Sequence, residues 1–228
     1  MFWSVSESTV TVMTTASVAQ PRTLADVLPS PTDRTMSIVR DAALVVGFAV
    51  LTAIFAQIKF NLGFTPVPIT GQTFAVLLAG TTLGWQRGAA SQALYWIAGL
   101  FMPVAWYAQD DTPGREAGWN VATGTTAGYL FGFVVAAALV GYFAERRQDR
   151  TLATSIPAML AGTAVIYLFG VLWLAYKLNI PVEGGVDGAN AIAYGLTPFL
   201  VGDLVKLLLV GAITPIAWNF VKKGDDAA

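Results

Sequence analysis

The stretch IPAMLAGTAVIYLFGVLWLAYKL, residues 156–178, contains a single charged side chain, Lys177, close to its end. A helix crosses the hydrocarbon core of a membrane with roughly 20 apolar residues, and this stretch is long enough to do so. Further apolar stretches occupy residues 42–58, 72–85, 88–107, 126–144 and 196–220. The sequence therefore predicts an all-α membrane protein that forms a bundle of six transmembrane helices.

The composition agrees with a lipid environment and excludes several kinds of site. Hydrophobic residues make up 55% of the chain and charged residues only 12%, whereas a soluble domain carries about 25% charged residues. The absence of cysteine and histidine excludes disulfides, thiolate nucleophiles and metal sites built on these residues, and it removes the commonest general base. No GxxxxGK[ST] phosphate loop occurs. We therefore expect that the protein is not an enzyme and that it binds neither a metal nor a cofactor.

The distribution of basic residues predicts the orientation. If the N-terminus is cytoplasmic, nine Lys and Arg residues fall in the inner segments and three in the outer ones, and inner loops normally carry the excess. Six spans would then leave both termini in the cytoplasm. We expect a polar cytoplasmic extension at residues 1–40, a membrane domain at 41–221 and a cytoplasmic tail at 222–228. If segment 72–85 were re-entrant instead of spanning, five spans would remain and the two termini would lie on opposite sides of the membrane.

Two ionisable residues, Asp203 and Lys206, interrupt the apolar sequence VGDLVKLLLV of residues 201–210. Their i, i+3 spacing places both on one face of a helix. A charge at membrane depth costs roughly 2.5–3.5 kcal/mol even on lenient insertion scales, so such residues normally face the bundle interior and mark a solute path. The predicted topology puts them about two helical turns below the outer surface. A purely structural ion pair is the alternative.

The segment FTPVPITGQ, residues 64–72, follows the first span on the same outer side. Pro66 and Pro68 fix φ near −65° and make the segment stiff. A stiff loop loses less entropy when it closes over a ligand, although an ordinary tight connection would look the same. The sequence thus predicts an outward-facing, partly apolar pocket for a small amphipathic ligand. The residues expected to contribute from this loop are Pro66, Val67, Pro68, Thr70 and Gln72.

Five segments in order carry a family resemblance: FTPVPITGQ (64–72), AGTTLGWQRG (79–88), YWIAGLFMPV (95–104), GTTAGYLFGF (124–133) and GDLVKL (202–207). Together they resemble the BioY family, the biotin-specific substrate-binding subunits of energy-coupling-factor (ECF) transporters. Residues 125 and 127 depart from the usual family sequence GPTGGYL, with Thr125 in place of proline and Ala127 in place of glycine. The resemblance implies a six-helix protein of the cell membrane that captures biotin near the outer surface.

The resemblance also implies residue roles and partners. Asp203 would accept hydrogen bonds from the ureido N–H groups of biotin, while Lys206 would donate to the ureido oxygen or neutralise Asp203. Asn120 would add a polar contact, and Tyr95 and Tyr129 would wall the apolar rings. A transmembrane coupling subunit and two ATPase subunits would complete the transporter, with no nucleic acid among the partners. The small residues predicted to contact the coupling subunit are Ala49, Ala53 and Ala56.

Other functions stay open on the sequence alone. The same architecture would serve a capture subunit for another vitamin. A stand-alone transporter would use Asp203 as a proton-coupling carboxylate and would need no ATPase. An intramembrane enzyme is disfavoured because the chain has no histidine, no cysteine and no second carboxylate inside a span.

Overall fold

The computed structural model describes residues 22–28, 31, 33–101, 106–107, 118–185 and 188–227, with side chains described up to residue 223. The chain is mostly helical. The helices are α1 (Arg34–Ala56), α2 (Gln72–Leu83), α3 (Trp85–Ala98), α4 (Trp119–Ala122), α5 (Ala127–Glu145), α6 (Leu152–Leu178), α7 (Ala191–Gly195) and α8 (Leu200–Ala227). Residues 1–21 of the predicted extension and residues 109–117 of a predicted outer loop lie outside this description.

Four stretches among the described residues are long and apolar enough to cross a membrane: Arg34–Ala56, Ala127–Glu145, Leu152–Leu178 and Ala191–Lys223. Helices α2 and α3 are shorter, at 12 and 14 residues, which corresponds to about 18–21 Å of helix. A mostly helical protein with several candidate membrane spans is therefore confirmed. The count of six spans and the location of both termini stay predictions.

A short β-hairpin closes one end of the bundle, which we call the hairpin end. Strand β1 (Lys59–Phe60) pairs antiparallel with β2 (Ile69–Thr70), in a register that places Lys59 opposite Thr70. The prolines of residues 64–72 explain why helix cannot continue here, since proline lacks the amide donor and restricts its predecessor. Gly71 N–H donates to the carbonyls of Phe55 and Ile58, so the loop returns directly onto the end of α1.

Helix α5 lies at the centre of the bundle, where it contacts α2, α3 and α6. Small residues allow these helices to approach closely. A Cβ atom built on Gly128 would lie 2.2 Å from Trp173 Cβ, and one on Gly132 would lie 3.0 Å from Ile166 Cα. At the turn between α2 and α3, Gly84 has φ +84°, a conformation that L side chains rarely adopt.

Two of the apolar clusters of the described interior are arranged along the bundle. Near the hairpin end, aromatic side chains dominate, including Tyr95, Tyr107, Tyr129 and Phe133. Further along the bundle a second cluster packs without polar groups, formed by Leu77, Val140, Met159, Leu207 and Val210. This second cluster fills the space between α2, α5, α6 and α8, so it forms the apolar floor beneath the hairpin end.

The opposite end of the bundle holds a turn of the N-terminal segment. Residues Leu24–Val27 form a single 3-10 turn, and Thr23 and Ala25 are only 1% and 3% exposed. Asp26 accepts from Arg87 of α3 over 2.6 Å. The predicted extension is therefore packed against the bundle at Thr23 and Ala25, and α1 already begins at Arg34 with Asp33 as its N-cap.

Candidate functional site

A pocket of about 600 Å³, including its open mouth, lies at the hairpin end between α2, α5, α6 and α8. Its lining is mainly apolar and aromatic with a few polar groups at one side. The lining residues are Val67, Pro68, Thr70, Gln72, Thr73, Tyr107, Val121, Thr126, Tyr129, Leu130, Phe133, Ile166, Tyr167, Phe199, Asp203 and Lys206.

Asp203 is the buried carboxylate of this pocket, at 5% exposure. Its Oδ1 atom accepts hydrogen bonds from Thr73 Oγ1 over 2.9 Å and from Lys206 Nζ over 2.6 Å. Its Oδ2 atom accepts from Tyr167 Oη over 2.5 Å. Residues of α2, α6 and α8 therefore meet at one carboxylate, and the charge is compensated as a buried carboxylate requires.

Lys206 connects Asp203 to the hairpin end. Besides its bond to Asp203, its Nζ donates to the backbone carbonyl of Thr70 over 2.5 Å. Thr70 Oγ1 in turn donates to Gln72 Oε1 over 2.8 Å. The ammonium thus neutralises the carboxylate and ties α8 to the loop, which agrees with the second of the two roles expected for Lys206.

The apolar wall is built around Tyr129 of α5. Its hydroxyl donates to the carbonyl of Gly195 over 2.7 Å, so the polar end of the ring is satisfied within the protein. Gly170 and Gly195 leave room for the ring, because a Cβ atom on either would lie 2.2–2.3 Å from Tyr129 atoms. The ring of Tyr129 is 8% exposed and belongs to the pocket lining.

The loop of residues 64–72 is fastened across the mouth of the pocket. Thr65 Oγ1 donates to the carbonyl of Tyr194 over 2.6 Å, and the same oxygen accepts from Val67 N–H over 3.2 Å. Val67 is 6% exposed. The loop therefore contacts the segment before α8, and its residues Val67 and Pro68 line the pocket.

The structure sorts the predicted site residues into two groups. Seven of them line the pocket: Val67, Pro68, Thr70, Gln72, Tyr129, Asp203 and Lys206. Tyr95 lies behind Gln72, which donates from Nε2 to Tyr95 Oη over 2.8 Å. Neither Pro66 nor Asn120 belongs to the lining, and the side chain of Asn120 is exposed while its neighbour Val121 faces the pocket.

Sequence reasoning missed Tyr167 and Thr73, the two hydroxyl groups that hold Asp203. Tyr167 stands out only as a polar aromatic residue in the otherwise apolar α6. Thr73 directly follows the predicted loop, but nothing in the sequence indicates that it meets a residue 130 positions away. Helical periodicity shows which residues share a face of one helix, and it does not show which faces meet.

The predicted contact of Ala49, Ala53 and Ala56 with a coupling subunit requires correction. Their side chains are 1%, 6% and 0% exposed, because α1 packs this face against α2 and α3. Next to them, Thr52 Oγ1 and the Gln92 side-chain amide of α3 are joined by a hydrogen bond. The small residues thus serve packing within the bundle, and the exposed side of α1 carries Val46, Val50 and Ile54.

Comparison with known sequences decides the family. The BioY family profile matches residues 22–223, which covers nearly the whole chain. This chain belongs to the BioY family.

Curated relatives from distant organisms agree with this assignment. The biotin transporter BioY of Rhodobacter capsulatus is 34% identical over 175 residues, covering 72% of this chain and 88% of the relative. The biotin transporter BioY of Thermotoga maritima is 34% identical over 167 residues, covering 73% and 88%. The pocket residues of α2, α5, α6 and α8 all fall within the span of the BioY profile.

A solved structure shows that the fold is also shared. The BioY chain superposes with a TM-score of 0.67 on the crystal structure of the S-component for biotin from an ECF-type ABC transporter. The alignment covers 83% of this chain and 95% of the other, at 21% sequence identity. The helical bundle with a pocket at the hairpin end is therefore an S-component fold.

Proposed function

We propose that this protein captures biotin at the outer face of the cell membrane and delivers it for import as the substrate-binding subunit of an ECF transporter. The observation that carries the proposal is the Asp203–Lys206 pair, neutral as a whole, in an otherwise apolar pocket of a BioY-family chain. The protein itself is non-catalytic. A transmembrane coupling subunit and two ATPase subunits drive the import step.

The chemistry of the pocket matches the two halves of biotin. The ureido ring offers N–H donors, which suit the carboxylate of Asp203, and a strongly accepting carbonyl, which suits the third N–H of Lys206 Nζ. The thiophane ring and the valeryl chain are apolar, and they suit the wall of Tyr129, Leu130 and Phe133. A charge-assisted hydrogen bond at a buried site contributes about 1.5–3 kcal/mol, so Asp203 supplies a large part of the selectivity.

The orientation of the protein follows from the same proposal. The hairpin end faces the outside, six helices (α1, α2, α3, α5, α6 and α8) cross the membrane, and both termini are cytoplasmic. The excess of Lys and Arg in the inner segments supports this topology. The short α2 and α3 meet at Gly84 beside Arg87, whose ion pair with Asp26 belongs at a polar membrane surface.

A coupling subunit is expected to contact the exposed side of α1. This helix is the least covered of the long apolar helices, with 17% of its most apolar window buried. Ala42, Ala43 and Gly47 are exposed on it, and no atom lies within 4 Å of a Cβ built on Gly47. Small side chains there would let a partner helix approach closely.

Ligand analysis of the purified protein tests the proposal. We expect detergent-extracted protein to carry biotin in near-equal molar amount by mass spectrometry. Asp203→Asn should weaken biotin binding about 10- to 150-fold in isothermal titration, because a neutral amide replaces the charged acceptor. Asp149→Asn, which changes a buried aspartate at the opposite end, should keep the wild-type affinity. A different vitamin in the preparation would overturn the choice of ligand.

A further inference from the structure

A cavity separate from the ligand pocket opens on the outside of the bundle, between α3, α5 and α6. We call it the aromatic groove, and its volume is about 1010 Å³ including its open side. In the groove, Phe131 of the central helix α5 is 43% exposed, although most of that helix is covered by its neighbours. The large side chains of the groove are Trp96, Phe131, Phe169, Leu172, Trp173 and Tyr176.

The aromatic groove presents carbon to a ligand. The indole N–H of Trp96 donates to the carbonyl of Ala122 over 3.2 Å. The indole N–H of Trp173 donates to the carbonyl of Gly124 over 2.8 Å. Both donors are therefore satisfied within the protein, and a polar ligand would lose its bonds to water without replacement. The groove suits a hydrocarbon chain, and hydrocarbon surrounds the bundle in a membrane.

A basic residue stands at one end of the groove. Lys177 lies in the last turn of α6 and is exposed. It follows Trp173 by four positions, so the two side chains are neighbours on one face of the helix. A lysine at the end of a membrane helix extends its ammonium to the lipid headgroups, where it attracts anionic ones. The groove and Lys177 thus match the two parts of an anionic phospholipid.

We propose that the aromatic groove binds an acyl chain of an anionic membrane phospholipid, with its phosphate group at Lys177, and that the bound chain stabilises the wall of the ligand pocket. The lipid site itself does not depend on the choice of biotin, whereas the effect on the pocket rests on the proposed function. An isologous contact between two copies of the chain would bring two Lys177 side chains to one interface, which favours a lipid as the occupant.

The first turns of α5 form the wall between the two cavities. Tyr129 and Leu130 line the ligand pocket. Ala127, Gly128 and Phe131 line the aromatic groove. An empty groove would leave this stretch without contact atoms on one side. A chain in the groove supplies them, so the pocket side is held in place before its ligand arrives and binding costs less entropy.

Lipid binding is measured by native mass spectrometry of delipidated protein with added phosphatidylglycerol or phosphatidylcholine. We expect one phosphatidylglycerol per protein, bound about fivefold or more tighter than phosphatidylcholine. In Lys177→Gln this preference should be lost, because a cation near the headgroups contributes about this factor. If Lys177 only stabilises the C-terminus of α6 through the helix dipole, the variant would be less stable and keep the preference, which overturns the headgroup contact.

Leu172→Trp tests the groove itself. Leu172 is 51% exposed and lines the groove, so an indole there occupies the space of the acyl chain and should weaken phosphatidylglycerol binding about tenfold or more. Leu160→Trp is the matched control, since Leu160 is 56% exposed on the same helix but lies about 18 Å away along it. It should bind the lipid as the wild type does. Equal effects of the two substitutions, or a protein dimer that dissociates in Leu172→Trp, overturn the lipid site.

Isothermal titration with biotin tests the effect on the pocket. Phosphatidylglycerol should lower the dissociation constant of biotin about threefold or more in the wild type and in Leu160→Trp, and it should leave that of Leu172→Trp unchanged. Biotin should tighten phosphatidylglycerol binding by the same factor, because such coupling is reciprocal. A lipid that binds without changing the affinity for biotin overturns the stabilisation of the pocket wall. A protein that binds the lipid but no biotin overturns the proposed function and leaves the lipid site standing.

Discussion

Lys206 lies one helical turn after Asp203 on α8, and its Nζ atom donates a hydrogen bond to Asp203 Oδ1 over 2.6 Å. Both side chains are largely buried, at 17% and 6% exposure. The pair brings the charge of the described pocket lining to zero, because no other lining residue is ionised at neutral pH. We therefore expect the stability of the bundle and the proposed choice of ligand to depend on the same two residues.

Removal of the ammonium alone should destabilise the protein. Lys206→Met leaves the carboxylate of Asp203 buried without a countercharge, and breaking a buried ion pair in this way costs about 3–5 kcal/mol. We expect a clearly lower midpoint of thermal unfolding in detergent, followed by tryptophan fluorescence. The double variant Asp203→Asn/Lys206→Met should recover most of this loss without recovering biotin binding. A single variant as stable as the wild type would show that the pair is not stabilising.

Because the pocket lining carries no net charge, we expect binding to tolerate replacement of the carboxyl group of biotin. Lys206 already balances the charge of Asp203 and also donates to the Thr70 carbonyl, so we expect the carboxylate of the valeryl chain to find no net positive charge in the pocket. Biotinamide should therefore bind within about threefold of biotin in isothermal titration, which is less than 1 kcal/mol. Binding of the amide more than about 30-fold weaker would instead indicate a cation that reaches the carboxylate from outside the described pocket lining.

The ion pair at the opposite end predicts an acid-dependent contribution to stability. Burial alone would raise the pKa of Asp26, but hydrogen bonds from Arg87 and Thr23 and the charge of Arg87 outweigh it and hold the pKa below its ordinary value of 3.8. The folded state then binds fewer protons, so this stability is present above pH 3.8 and is lost as the pH falls through the lower folded value. Asp26→Asn should lower the unfolding midpoint near pH 7, and this difference from the wild type should shrink as the pH falls through the lowered folded-state pKa.

Asp149 serves as a control because its pKa is shifted in the opposite direction to that of Asp26. Burial raises its pKa, although it accepts from Trp218 Nε1 over 2.6 Å and lies beside Arg150. Its contribution is therefore complete below the ordinary value and is lost as the pH rises through the raised one. Relative to the wild type, the stability of Asp149→Asn should improve as the pH rises from 3.8 through the raised pKa, whereas that of Asp26→Asn should worsen as the pH rises from the lowered pKa to 3.8. Parallel pH profiles for the two variants would contradict this electrostatic account.

A glycine behind the pocket wall should control the shape of the site. The Cβ atom of Gly170→Ala would lie 2.2 Å from Tyr129 Cε1, so the ring has to move into the pocket or the helices have to separate. Overpacking of this kind costs about 1–3 kcal/mol, and we expect both weaker biotin binding and a lower unfolding midpoint. Gly47→Ala, with no atom near its new methyl group, should leave binding unchanged and stabilise α1 slightly. Equal effects of the two substitutions would argue against the close contact.

Much of the architecture is local and was accessible from the sequence. Hydropathy placed the helices within a few residues of α2, α5 and α6, because a lipid environment demands long apolar stretches with internally bonded backbone. The sequence placed the start of the first helix at residue 42, whereas α1 begins at Arg34. The first turns of α1 are polar, and the Asp33 cap stabilises them where apolar periodicity gives no signal.

The three alanines of α1 show the limit of such patterns. Small residues spaced four apart indicate that something packs closely against a helix, but they are silent about whether the neighbour is α3 or another protein. The structure decides for the bundle interior, where Ala49 and Ala53 are buried. Asn120 stays a prediction, because its side chain is exposed and it is the adjacent Val121 that lines the pocket.

The sequence by itself determined that the chain is a membrane bundle with Asp203 and Lys206 on one face of α8, since spacing along one helix and the cost of a charge in lipid are local properties. Only the tertiary structure decided which side chains from other helices contact Asp203. Tyr167 and Thr73 reach Asp203 across sequence separations of 36 and 130 residues. Contacts over such separations depend on how whole helices pack, and many packings satisfy the same hydrophobic pattern.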